Sequence, residues 1–424
     1  MNKNRIIAGI ELGSSKIATI VAQVSTDETT FETKINIVGV SSSDSKGIRK
    51  GQIVDIEETV DATIASVEGA ERMAGYNIDK AYIALGGAHV HSQNSHGVVA
   101  VSDPNGEISP DDVERVTEAA SAISLPQSRE VIHVIPTEYI VDGEAGVKDP
   151  IGMSGVRLEI ETHIVTAASA AIKNINKALN EVGVSQEGLV FSGLAGAEAV
   201  LSSTEKELGC VLVDIGGGTT SVVAYVDGGL VYTGVIPIGA KNVTNDLAIG
   251  LRLSLEAAEE VKIALGQPIS KTKSPEEGGS DTLDLSDLEG GENKKVSKKT
   301  LVEGIIRPRL NEIFTMVQLE LEKAGIANRI PSGVVVTGGG AETVGIVDSA
   351  KRTLSLPVRI GKPKGIGGLI DDIINPTFAV PVGLIIYGAR NQTMEGNPSF
   401  MKHFKLPSLG IAGKIIDAVK NLLP

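Results

Sequence analysis

The sequence predicts an α/β protein of more than one domain, and three observations carry that expectation. Segments with strand-like and helix-like hydrophobic periodicity alternate along nearly the whole chain. The 424 residues exceed what one hydrophobic core ordinarily organises. One unit, an apolar strand running through a carboxylate into a glycine turn and a second strand, occurs twice, about 200 residues apart.

Taken in order, residues 6–23 read as two strands around a tight polar turn and 35–40 as a third strand. Residues 55–73 carry a helical stripe of Val60, Ile64 and Val67, and 80–101 read as short strands with turns. Ser109-Pro110-Asp111-Asp112 is a helix start: a capping hydroxyl, a proline where no N–H is needed, and acids at the positive end of the dipole. That helix runs to about residue 123. Residues 131–141 and 156–167 alternate like strands, and 168–182 read as a helix. Residues 210–226 repeat the N-terminal strand–turn–strand pattern, and 241–250 and 254–266 are helical. The polar stretch 268–299 is expected to be a mobile surface loop within a domain. A helix over 301–324 should bend or break near Pro308. Residues 334–336 form a buried strand, 391–407 a polar linker and 409–423 a last helical stretch.

Composition narrows the function classes. Net charge is −14, so the surface repels a nucleic-acid backbone. Trp is absent and aromatics are only 3%, which leaves the cores to Val, Ile, Leu and Ala. The single cysteine, Cys210, sits in an apolar strand as a small hydrophobe with no disulfide partner in the chain, which fits a reducing compartment. The apolar run 6–10 is cut by Glu11 and is too short for a signal peptide. No run reaches the roughly 18 apolar residues that cross a bilayer. A cytoplasmic protein is expected, unless something shorter holds it to a membrane. His89, His91 and His96 lack Cys or acidic ligands at matching spacing, so no zinc site is expected.

The chemistry concentrates in the duplicated turn. The first copy is Glu11-Leu12-Gly13-Ser14-Ser15-Lys16, and the second is Asp214-Ile215-Gly216-Gly217-Gly218-Thr219-Thr220. Glycine lets the backbone turn sharply and brings N–H groups against a phosphate with no side chain between. Ser14, Ser15, Thr219 and Thr220 add hydroxyls, and Lys16 adds a point charge for phosphate oxygens. A carboxylate at the strand end, Glu11 or Asp214, can hold Mg²⁺ directly or through water. Two such hairpins from related domains can pinch one triphosphate. The P-loop pattern is absent, and each turn opens a strand rather than a helix. Downstream, the strand 334–337 ends in Gly338-Gly339-Gly340, bare backbone on which a flat adenine ring can lie. Glu259 and Lys262, three apart on a helix, share a face: either they reach a ribose, or they are a solvated ion pair on a surface helix.

The C-terminal stretch has its own physics. At helical spacing Ile411, Ile415, Val419 and Leu422 make one apolar stripe with Ile416 and Leu423 at its edge. Lys402, Lys405, Lys414 and Lys420 outweigh Asp417, so the tail is locally basic in an acidic protein. This pattern suits a helix lying among the headgroups of anionic lipids; the alternative is a helix packed on the protein's own core.

These elements, in this order and spacing, resemble the actin/sugar-kinase/chaperone ATPase superfamily. Residues 129–139, 149–158, 209–219, 258–262 and 336–339 are similar to stretches typical of the FtsA family of bacterial cell-division proteins, and the resemblance spans nearly the whole chain outside 268–299. It implies an actin-like ATPase fold, two lobes around a nucleotide cleft, with an extra subdomain in the first lobe. The implied divisions are 1–82 and 165–205 (first lobe), 83–164 (extra subdomain), 206–240 and 308–375 (second lobe) and 241–307 (its small subdomain, with the loop 268–299). They continue with 376–390 (a helix returning to the first lobe), 391–407 (linker) and 408–424 (amphipathic membrane helix). It further implies ATP and Mg²⁺ as cofactors, with Glu11 and Asp214 positioning metal and water, Gly239 in the nucleotide site, and at most a slow ATPase. Lys299, Thr300, Glu303, Ile306, Arg307 and Arg309 would receive the FtsZ C-terminal tail. The implied role is a filament-forming anchor that ties the FtsZ ring to the cytoplasmic face of the inner membrane at the division site and recruits later divisome proteins. The chain departs from the plainest pattern at Glu11, where many members have Asp, and at Gly239-Ala240, where a glycine pair is common. A small-molecule kinase or phosphatase, a chaperone ATPase and a rod-shape actin homologue are the rival readings. The first needs a substrate pocket with a catalytic base, and the second a substrate-binding domain. The third would lack the long segment ahead of residue 168.

Overall fold

The computed structural model describes residues 5–26, 33–266, 281–286, 289, 295–369 and 373–395. β1 (Arg5–Leu12), β2 (Lys16–Thr26) and β3 (Thr33–Asp44) run as an antiparallel meander, with Ile7, Ile10, Ile17 and Ile20 fully buried. β4 (Ile48–Arg49) and β5 (Gln52–Ile53) make a small ribbon. α1 (Ile56–Ala74) follows, its first turn capped by Asp55 and its end closed by Gly75 in the left-handed conformation. It covers the meander and delivers β6 (Lys80–Leu85) parallel to β1.

An inserted unit comes next: β7 (His91–Ala100), α2 (Pro110–Ser121), β8 (Arg129–Val141), β9 (Glu144–Val147) and β10 (Arg157–Ala168). Its strands form an antiparallel sheet in the order β7-β10-β8-β9. α2 starts on the expected capping box of Ser109 and Asp112 and seals a small core of Val116, Leu158 and Ile160. The chain returns through α3 (Ser169–Val182), β11 (Ser185–Phe191), α4 (Ser192–Val200) and α5 (Ser203–Leu208).

The second lobe rebuilds the first. β12 (Cys210–Ile215), β13 (Thr220–Val226) and β14 (Gly229–Ile236) are again a meander, followed by α6 (Ala240–Leu251) and α7 (Leu255–Gly266). Next come β15 (Thr282–Asp284), β16 (Lys295–Ser297), α8 (Lys298–Leu301), α9 (Arg307–Lys323), β17 (Val334–Thr337), α10 (Ile346–Leu354) and β18 (Val358–Ile360). β19 (Gly367–Gly368) adds an edge to the first sheet, and α11 (Ala379–Glu395) ends the described chain. The strand orders β3-β2-β1-β6-β11 and β14-β13-β12-β17-β18 are the same, and in each a meander is followed by two parallel strands. The duplicated turn is therefore one corner of a duplicated sheet.

α4 and α11 lie between the sheets, and one buried cluster takes residues from both, including Ile10, Ala195, Leu212 and Leu384. The two helices pass so closely that a Cβ on Gly383 would overlap the Ala195 carbonyl.

Two expectations change, and the expected break near Pro308 is met. Part of the polar stretch 268–299 is folded: β15 pairs with β16, and α8 begins at Lys298. The helix over 301–324 breaks as a π-helical turn, Val302–Ile306, in which the Arg307 N–H donates to the Val302 carbonyl. Pro308 has no N–H and would crowd the carbonyl four residues earlier; it sits in the first turn of α9, where no intrahelical N–H is needed, and the wider turn ahead of it gives the ring room. Residues 391–395, assigned to the linker, continue α11. The rest of that linker and the membrane helix 408–424 lie outside the described residues.

Candidate functional site

Each glycine turn closes in the same way. The Gly13 N–H donates to the Lys16 carbonyl at 3.1 Å, and the Gly216 N–H to the Thr219 carbonyl at 2.8 Å. The turns face each other across the lobes. A Cβ on Gly217 would lie 2.8 Å from Ser15 Oγ, and one on Gly218 would lie 2.9 Å from Ser14 Oγ and 3.0 Å from the Lys50 nitrogen. Glycine is required here by close approach rather than by an unusual φ.

Beneath them is a cavity of about 550 Å³, the size of a small-molecule site. Its lining brings together residues 11–16 and 216–219 with Asp214, Glu259, Lys262 and the Gly338–Gly340 turn. The sequence had placed these in four separate segments.

Glu11 and Asp214 stand at the ends of β1 and β12, the central strands of the two sheets. Burial pushes both carboxyls up to about 7; the Glu11 charge adds to the rise at Asp214, while Lys16 offsets part of the rise at Glu11. Glu11 Oε2 is buried and accepts no hydrogen bond among the described residues. A buried acceptor without a donor, beside a second carboxylate and a row of backbone N–H groups, fits a hydrated divalent cation bound with phosphate oxygens. The Lys16 ammonium rests 3.6 Å from the centroid of the Phe378 ring, and burial lowers its pKa.

Gly338 has φ +81°, and a Cβ there would collide with Asp214 Oδ1, so the third glycine turn packs directly on the carboxylate. Glu259 and Lys262 pair at 2.6 Å. Thr244 of α6 bridges them, its hydroxyl 2.5 Å from Glu259 Oε2 and 3.0 Å from Lys262 Nζ. Lys262 is buried, the Glu259 side chain is 42% exposed, and both residues line the cavity, so the pair faces the cleft.

Two expected site residues are placed elsewhere. The Thr220 hydroxyl turns away and donates to the Ile238 carbonyl, because alternate residues of β13 face opposite ways. Gly239 packs the start of α6 onto the second hairpin, where a Cβ would meet the Gly216 and Gly217 carbonyls at 2.5 and 2.6 Å. Ser221 lines the cavity on the same face as Thr219, which strand alternation could have revealed. Gly51, Gly86, Ser192 and Thr377 also line it, and no local pattern marks them. The Gly51 N–H donates to Ser14 Oγ at 2.9 Å, and the Ser192 and Ser221 hydroxyls approach to 3.3 Å.

On the expected partner surface, Lys299, Thr300 and Glu303 are exposed. Arg307 pairs with Glu303 at 2.8 Å. Arg309 holds both Asp246 oxygens, at 2.6 and 2.9 Å, and reaches Glu312 at 2.5 Å. Ile306 is fully buried in the second-lobe core and offers no contact surface, because the π-helical turn rotates it inward. Ile411, Lys414, Ile415, Ile416, Val419, Lys420, Leu422 and Leu423 lie outside the described residues.

The comparisons with known proteins agree with this architecture. A family model described as an SHS2 domain inserted in FTSA matches residues 87–166, the inserted unit, and one described as cell division protein FtsA matches residues 211–383. The cell division protein FtsA of Pseudomonas aeruginosa is 38% identical over 393 residues, covering 93% of this chain and 91% of the relative. That of Borreliella burgdorferi is 40% identical, covering 92% of each, and that of Bacillus subtilis 36%, covering 97% and 89%. Among solved structures, a chain of the PilM–PilN type IV pilus biogenesis complex superposes with a TM-score of 0.63 at 20% identity, covering 90% of this chain and 98% of its own. MreB5 of Spiroplasma citri bound to ADP gives 0.52 at 14% identity, covering 93% and 99%. These two likenesses speak to the fold. With relatives of this identity along almost its whole length, an actin-like fold and the inserted subdomain in place, the chain belongs to the FtsA family of cell division proteins.

Proposed function

We propose that the protein binds Mg–ATP between its two glycine hairpins and uses it to control assembly of a membrane-held anchor for the division ring. The observation that carries this reading is the meeting of the hairpins over a cavity whose buried carboxylates include an unpaired oxygen. The N–H groups of residues 14–16 and 217–218 would surround the phosphates, those of Gly13 and Gly216 being held within their own turns, with Lys16 exchanging the Phe378 ring for a phosphate oxygen. Glu11 and Asp214 would hold Mg²⁺ through water and orient an attacking water; Mg²⁺ bound there neutralises phosphate charge. The Gly338–Gly340 turn would carry the adenine, and Glu259 with Lys262 the ribose. The nucleotide acts mainly as a conformational ligand, with hydrolysis at most slow.

The domain divisions implied by the resemblance are retained in this reading, except that the returning helix extends to residue 395, with 408–424 as the membrane helix. No helix of the described residues is long and apolar enough to cross a membrane. One amphipathic tail without Trp or Phe binds lipid weakly, and a filament multiplies it through avidity. The FtsZ tail would dock on the exposed side of α8 and the π-helical turn, at Lys299, Thr300 and Glu303 with Arg307 and Arg309 beside them and Ile306 supporting from below. Later divisome proteins would use other faces of the same filament.

The deciding experiment is sedimentation with anionic liposomes, with and without ATP, for the full chain and for a chain ending at residue 407. The full chain should sediment more strongly with ATP, and the shortened chain should stay in solution while still binding ATP. Sedimentation of the shortened chain with the vesicles would refute the tether.

A further inference from the structure

One residue touches both glycine hairpins. The Lys241 N–H donates to the Gly217 carbonyl at 2.9 Å, beside the same bond from Ala240 to Gly216, so the first turn of α6 is fastened to the second hairpin. The Lys241 side chain then crosses the cleft, and its ammonium donates to the Ser14 carbonyl of the first hairpin at 2.8 Å. Neither Lys241 nor this bond was visible in the sequence pattern.

The position is unusual on local grounds. Lys241 lies in the first turn of α6, at the positive end of the helix dipole, where a cation is unfavourable and an acid is preferred. α6 has no acidic residue in that turn. A residue that breaks a local rule and makes a charge-assisted bond to the other lobe points to a role beyond the helix. The bond also sets the plane of the Ser14–Ser15 peptide, because carbonyl and N–H of one peptide are fixed relative to each other. Ser14 Oγ is already held by the Gly51 N–H, so Lys241 completes the fixing of a turn that lines the cavity.

We propose that Lys241 is a cross-cleft latch: it holds the two phosphate hairpins together and slows escape of a nucleoside triphosphate from between them. The inference deepens the nucleotide reading above and rests on it for the ligand. Lys241 acts as a positioning residue, through the Ser14–Ser15 peptide and through closure of the lobes. Its ammonium, held on the Ser14 carbonyl of a hairpin that lines the cavity, adds positive charge close to where a triphosphate would sit.

The test uses full-length wild type, Lys241→Ala and Lys241→Arg. Release of a fluorescent ATP analogue with Mg²⁺ is followed by stopped-flow chase, and amide exchange of residues 13–16 is measured without nucleotide. The latch predicts release about tenfold faster in the alanine variant, the loss expected for one charge-assisted bond, with most of the retention restored by arginine. It also predicts faster exchange at residues 13–16 in the alanine variant, with an unchanged melting temperature. A merely structural lysine would lower the melting temperature and leave the release rates of the two variants alike. Unchanged release or unchanged exchange in Lys241→Ala overturns the latch. A wild-type protein that holds no analogue would sink the nucleotide reading, and the exchange measurement would still decide whether Lys241 fastens the hairpins.

Discussion

Ser15 and Gly217, one on each hairpin, touch across the cleft: a methyl group on Gly217 would sit 2.8 Å from Ser15 Oγ and 2.9 Å from its Cβ. Gly217 has an ordinary negative or extended φ, so a larger residue there is blocked by the opposite lobe and not by its own backbone. Gly217→Val should therefore keep the lobes from closing while leaving each lobe folded. The expected result by calorimetry is ATP affinity lowered at least about tenfold, a loss of roughly 1.4 kcal/mol, with a nearly unchanged melting temperature.

Asp214 is the better placed of the two carboxylates to separate metal from nucleotide. Asp214→Asn keeps its shape and removes its charge. Mg²⁺-dependent ATP binding should weaken by about tenfold or more, and binding measured in EDTA should change little. Equal losses in both conditions would move the metal away from Asp214.

The buried carboxyl pair also makes stability depend on pH. In the folded protein Glu11 and Asp214 are raised to about 7, against about 4 for unfolded carboxylates. Between those values the folded chain holds protons that the unfolded chain has shed. Their stabilisation is therefore full below about pH 4 and is lost as pH rises through about 7. Without Mg²⁺ or nucleotide, the melting temperature of wild type should fall from pH 5 to pH 8 more steeply than that of Glu11→Gln. Parallel profiles would show that Glu11 is not a buried, unpaired acid.

Along α8 and α9, Arg309 and Lys299 stand in different settings. Arg309 binds Asp246 of α6 through two nitrogens, so Arg309→Ala should cost about 1–3 kcal/mol in urea unfolding and disturb any docking indirectly. Lys299 is exposed, so Lys299→Glu should leave stability unchanged and weaken an acidic FtsZ-tail peptide several-fold by anisotropy. Unchanged peptide affinity would place the docking surface elsewhere.

The hairpins were legible because their chemistry is local: a carboxylate, a glycine turn and two strands fall within a few residues, and the repetition ties them to one architecture. α2 was legible because its capping box is written in four consecutive residues. α4 was not, since Gly193, Ala195, Ala197 and Ala199 are buried alike between the lobes and leave no amphipathic period. β14 escaped for a similar reason, its glycines at 229 and 234 interrupting the alternation. Within the cavity, Gly86 and Ser192 come directly after β6 and β11, and only the parallel pairing of those strands brings them to the carboxylates. Thr220 was misassigned because a hydroxyl was counted by type and not by strand face. Lys241 and the inward turn of Ile306 depend on tertiary contacts and on a π-helical turn, which no pattern of residue types announces.

The most direct test is a crystal structure of the full chain with Mg²⁺ and a non-hydrolysable ATP analogue. Density for the triphosphate between residues 13–16 and 216–219, with the metal's water shell reaching Glu11 and Asp214, is the expected result. An analogue bound elsewhere, or two hairpins standing apart with no phosphate between them, would contradict the account.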